Sequence, residues 1–107
     1  MWFTASLLFY AERNAPREES LWEEEIVLFE AEDEMAATSK AEAHGRSHEH
    51  EYTNDKGQLV RWVFKHVERI CPVESTALVD GTELFSRFLK DSEVQSLLTG
   101  FEDSTER

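Results

Sequence analysis

The stretch from His44 to Tyr52, HGRSHEHEY, holds three of the chain's four histidines, with Glu49 and Glu51 set among them. On a strand, side chains alternate between faces, so His48 and His50 share one face. A hairpin partner would bring His66 to that face, diagonal to His48. Three imidazoles so placed, with a glutamate or water as a further ligand, would form an open zinc or nickel site at His48, His50 and His66. The same residues have a plainer reading. His44 would close a helix, where the dipole favours positive charge, while His48 and His50 lie beside Phe64 and Trp62 as amphipathic rings. Alternation on any histidine-rich strand yields this spacing, so spacing alone does not decide between the two.

Glu23, Glu24 and Glu25 form the densest run of carboxylates. On a strand, Glu23 and Glu25 face one way and Glu24 the other, so they do not converge as a general acid and base must. Two uses remain: pairing with the basic strand that carries Arg61, Lys65 and Arg69, or a docking patch for a cationic protein. The aromatic residues Trp2, Trp22, Trp62, Tyr10, Tyr52 and Phe64 could line a ligand groove, but at strand spacing they read first as core. No glycine-rich phosphate loop, HExxH helix, Ser-His-Asp order or Cys-His pairing is present, so the sequence points away from an enzyme.

Charge restricts the partners. Acidic residues outnumber basic ones 23 to 11, for a net charge of -12 and a pI near 4.6. Binding to nucleic acid or an anionic membrane needs cations to displace counterions, so neither is expected. A basic protein is the expected partner. The single cysteine, Cys71, excludes an internal disulfide and fits a reducing compartment; at the end of an apolar strand it reads as a buried structural thiol. The opening MWFTASLLFY is too short to span a bilayer and has no basic leader, which leads to the expectation of a cytoplasmic protein.

The elements that must position these residues follow from periodicity. At 107 residues, 40% of them apolar, the chain suffices for one domain that hides roughly two-thirds of its unfolded surface. The expected division is a domain over 1–100 and a frayed acidic tail over 101–107. Phe3, Ala5, Leu7 and Phe9 alternate as one face of a strand, and LWEEEIVLFEAE follows as its hairpin partner across the flexible loop NAPREES. DEMAATSKAEAHG predicts a helix over 34–44, with Ala37 and Ala41 as contact points and Gly45 as its left-handed stop. HEHEYTNDKGQLVRWVFKHV predicts two strands around a turn with Gly57 left-handed, pairing Asn54 with Gln58, Tyr52 with Val60, Glu51 with Arg61 and His50 with Trp62. The same register, carried outwards, sets Glu49 against Val63 and His48 against Phe64.

TELFSRFL suits a fifth strand or a helix, and its pattern leans towards the strand. DSEVQSLLTG predicts a closing helix with Ser92 and Gln95 as a capping box and Gly100 as its stop. The sum is α+β: a mainly antiparallel sheet in β-β-α-β-β-(β)-α order with helices packed on one face. Apolar even positions such as Leu8, Tyr10, Ile26 and Leu28 leave the other face partly apolar, which predicts a homodimer surface.

Four stretches, MWFTASLLF, LWEEEIVLFEAE, EYTNDKGQLVRWVFKHV and DGTELFSRFL, resemble a bacterial family of small proteins classed as a domain of unknown function. The likeness runs over nearly the whole chain, mostly through aromatic and turn residues. It implies a stand-alone bacterial domain and transfers no catalytic residue.

Overall fold

The computed structural model describes residues 1–14, 19–74 and 77–100. Four strands form one antiparallel sheet in the order β2-β1-β4-β3. β1 (Trp2–Arg13) and β4 (Leu59–Pro72) make its centre, with β2 (Trp22–Glu30) and β3 (His50–Thr53) at the edges. The α1 helix (Glu34–Ser47) carries the chain across one face from the β2 edge to the β3 edge. The α+β class and antiparallel sheet are as expected.

The alternation in β1 decides which face is the core. Phe3, Ala5, Leu7, Phe9 and Ala11 are buried beneath α1, joined by Val27 and Phe29 from β2 and by Trp62, Phe64, Val67 and Ile70 from β4. β4 carries register shifts opposite Ser6/Leu7 and Leu8/Phe9. Such bulges let the long β4 bend with β1 while keeping an apolar residue against the core at each step.

Ala37 and Ala41 of α1 are fully buried, as their spacing predicts. Asp33 caps the helix by accepting from the Ala36 N–H at 2.8 Å. The helix does not stop at His44, however. It runs to Ser47 with His48 as its cap, and Gly45 lies inside it without a positive φ. What Gly45 supplies is room. A β-carbon there would stand 2.6–2.7 Å from Cε1 and Cγ of the Phe64 ring. The lack of a side chain brings the last turn of α1 down onto β4.

The β3–β4 hairpin has the predicted register: His50 opposite Trp62, Glu51 opposite Arg61, Tyr52 opposite Val60. Asn54 closes the turn, its N–H donating to the Gln58 carbonyl at 2.9 Å, and Gly57 has φ 76°. The ladder ends at His50, so Glu49 and His48 do not continue it. The Glu49 carboxylate instead accepts from the Phe64 N–H at 3.0 Å, taking the place a further β3 residue would have held.

The C-terminal quarter departs from expectation. Residues 82–90 form neither a strand nor a helix. The segment lies on the sheet face opposite α1, where the Thr4 hydroxyl donates to the Leu84 carbonyl at 2.9 Å and Phe85 lies under Arg69 at 5.2 Å. Without a partner strand at that position, the segment has no ladder to join: Phe85 packs against Arg69 while Phe88 is fully exposed.

The α2 helix (Asp91–Thr99) is then capped at Lys90, two residues before the predicted cap Ser92, so Glu93, not Gln95, reaches back to the Lys90 N–H at 2.8 Å. Gly100, at φ 65°, ends it as expected. No residue of α2 is buried, and the helix packs on no other element, contrary to the expectation of two helices on one face. The loop NAPREES lies partly, and the 101–107 tail wholly, outside the described residues.

Candidate functional site

The acidic run falls on an outer strand. Register places Glu23 opposite Phe9, Glu24 opposite Leu8 and Glu25 opposite Leu7, so Glu23 and Glu25 point to the helix side and Glu24 to the other, as the alternation requires. Because β1 separates β2 from β4, these carboxylates do not reach the basic strand. Glu25 meets His44 instead, Oε1 to Nε2 at 3.0 Å, and Glu24 accepts from the Ser6 hydroxyl at 2.5 Å. Glu23 makes no ion pair among the described residues. The basic strand finds other acids: Arg61 lies 3.7 Å from Glu12 and opposite Glu51.

The histidines separate into three environments. His44 sits between β2 and the end of α1, edge-on to Phe29 at 5.5 Å and stacked on His48 at 3.9 Å. His48, at the helix cap, also lies 2.9 Å from the His44 carbonyl through Nδ1. His50 stands in β3 opposite Trp62, on the helix side. His66 is opposite Leu8, and therefore on the other side of the sheet. The sheet thus parts His50 from His66, and no group of three potential metal ligands gathers among the described residues. The Glu25–His44 pair was not legible in the sequence, because it depends on α1 crossing back over β2.

The face opposite α1 holds the other concentration of chemistry. Leu8, Tyr10, Trp22, Ile26, Leu28 and Val63 share it by register, all half-buried or exposed, with Trp22 42% and Ile26 50% accessible. Tyr10 and Trp22 meet edge to face at 4.9 Å. Beside this strip run the cations of β4, Arg61, Lys65 with its ammonium 6.0 Å from the Tyr10 ring, and Arg69, with His66 among them. At the far end, Cys71, Pro72, Glu74 and residues 79–86 line a cleft of about 290 Å³. Cys71 is half-buried at its wall, not enclosed in the core as the sequence suggests.

Residues 2–86 match the model of DUF4288, a domain of unknown function. The chain belongs to this family. The DUF4288 match takes in all four strands, α1 and the start of the segment that lies on the second face, and it ends before α2. Neither the curated proteins nor the solved structures gave a match. Among the described residues of this DUF4288 chain, no helix is long and apolar enough to cross a membrane.

Proposed function

We propose that this DUF4288 protein is a non-enzymatic interaction module, of inhibitor, immunity or accessory type, that holds a basic protein partner through β2. One observation carries the reading: the strand bearing Glu23, Glu24 and Glu25 lies at the sheet edge. An edge strand offers backbone donors and acceptors to an added strand. A lysine- or arginine-rich extended segment would pair with that edge while its cations meet carboxylates on both faces. Net charge of -12 steers such a partner in and speeds encounter. The solitary Cys71 supports placing the protein in the cytoplasm.

A defined probe tests this. A synthetic peptide alternating lysine and valine is titrated into isotope-labelled protein, and amide shifts are followed at low and high salt. The expected result is shifts concentrated at residues 22–30 and affinity at least about tenfold weaker at high salt. Shifts elsewhere, or binding indifferent to salt, would remove the proposal.

A further inference from the structure

The α2 helix presents an unusual state for an amphipathic segment. Val94, Leu97 and Leu98 lie on one side of it, yet they are 37%, 60% and 76% exposed, and Phe88 just before it is fully exposed. The radius of gyration is 16.3 Å, against about 13 Å for a close-packed chain of this length. The arm thus stands clear of its own sheet.

The second sheet face offers what this arm lacks. Its strip of Leu8, Tyr10, Trp22, Ile26 and Val63 is apolar except for Glu24, whose carboxylate accepts from Ser6, and the bordering row on β4 carries Lys65, Arg69 and Arg61, the last paired with Glu12. The arm is apolar on one side and carries Asp91 and Glu93 in the first helical turn. The apolar surfaces match, while the arm's Arg87 and Lys90 offset Asp91 and Glu93, so apolar contact is what would join them. The segment that leads to the arm touches the sheet where Leu84 accepts from Thr4 and Phe85 lies under Arg69, so the arm starts beside such a strip.

We propose that two copies of this chain exchange C-terminal arms, the α2 helix of each lying across the Leu8–Trp22–Ile26 strip of the other. A second copy is the occupant because α2 projects away from its own strip and because reciprocity doubles the contact. Phe88 with three aliphatic side chains covers roughly 400 Å². Counting both partners of two equivalent contacts gives about 1,600 Å², the size of a standard specific interface. One isolated contact of this kind would fall well below it. The arm lies beyond the residues matched by the family, while the strip lies within them. The exchange also goes beyond the proposed use of β2, which leaves the outer edge of that strand free.

Sedimentation velocity across a range of protein concentrations, with L97E/L98E on the arm and I26E on the strip, tests the exchange. All three side chains are at least half exposed, so the fold should survive, and far-ultraviolet circular dichroism checks it. The expected result is a dimer for the wild-type chain and a monomer for each variant at the same concentration. Isotope-filtered NOEs between labelled and unlabelled wild-type chains should join Leu97 or Leu98 methyls to Ile26 or Trp22 of the other copy. A monomeric wild-type chain, a dimer that persists in either variant, or NOEs confined to one chain would each overturn the proposal. Glu23→Gln should leave the dimer unchanged while weakening peptide binding, which separates this result from failure of the β2 reading.

Discussion

Replacing Gly45 with alanine sets two known effects against each other. Alanine is about 1 kcal/mol better than glycine inside a helix, and Gly45 has ordinary helical geometry, so propensity alone predicts a more stable protein. Packing predicts the opposite. The new carbon would lie 2.7 Å from Phe64 Cγ and 2.6 Å from Cε1, where 3.4–4 Å is ordinary contact. Cγ is the ring atom nearest the backbone, so rotating the ring does not remove it from the overlap. Moving Phe64 aside also breaks its edge contact with Phe9, whose ring centre is 5.7 Å away in the core.

Overpacking of this kind costs about 1–3 kcal/mol, and here it belongs near the upper end. The net expectation is a loss of about 1–2 kcal/mol, or a fall in Tm of roughly 5–15 °C for a domain of this size. Chemical denaturation of the wild type and G45A, with F64L and the double variant, completes the cycle. Trimming the ring should recover part of the loss, giving a coupling of about 1 kcal/mol or more. A G45A protein as stable as the wild type, or more so, would refute the view that this glycine exists to let α1 approach β4.

Other substitutions test neighbouring links. Glu49→Ala should cost about 1–2 kcal/mol, since it removes a charged acceptor from the Phe64 N–H; an unchanged denaturation midpoint would mean that water serves equally well. Asp33→Ala should cost about 1 kcal/mol by uncapping α1, measured by the same midpoint. Gly57→Ala meets open space but must adopt φ 76°, so a loss of about 1 kcal/mol should appear without any change in helix packing. Thr4→Val should free the Leu84 carbonyl, and hydrogen exchange over 82–90 should quicken while β1 and β4 stay protected.

What the sequence made legible was local. The alternation of Phe3, Ala5, Leu7 and Phe9, the alanines of α1 and the NDKG turn each contain enough information within a few residues to fix their element, and the β3–β4 register followed from the turn. Gly45 misled because a glycine near a helix end has two uses, a left-handed stop or a close approach, and only the position of Phe64 distinguishes them. The histidine spacing misled for a related reason. It assumed that β3 continues back to His48, whereas α1 runs on to that point and the sheet then parts His50 from His66. TELFSRFL has the composition of a strand, but composition cannot supply a neighbour with free hydrogen-bonding groups.

The sheet order turns these separate observations into a division of surfaces. Because β2 is at an edge and not beside β4, its carboxylates are not neutralised by the basic row, which pairs with Glu12 and faces Glu51 instead. The acidic edge resists pairing with an identical edge, since bringing two copies together there would oppose like charges. On the proposed reading it would favour a cationic partner over self-association. The second face differs, because its strip, bordered by Lys65 and Arg69, is mostly apolar and α2 is an apolar-sided arm that packs on no element. In the proposed exchange, self-association would use that face and leave both acidic edges outward. On this arrangement a dimer would offer two edges to a basic ligand, and a tethered bivalent peptide should bind more tightly than its single-segment form. Equal affinities for the two peptides, measured with a chain shown to be dimeric, would mean that the two edges cannot be reached together.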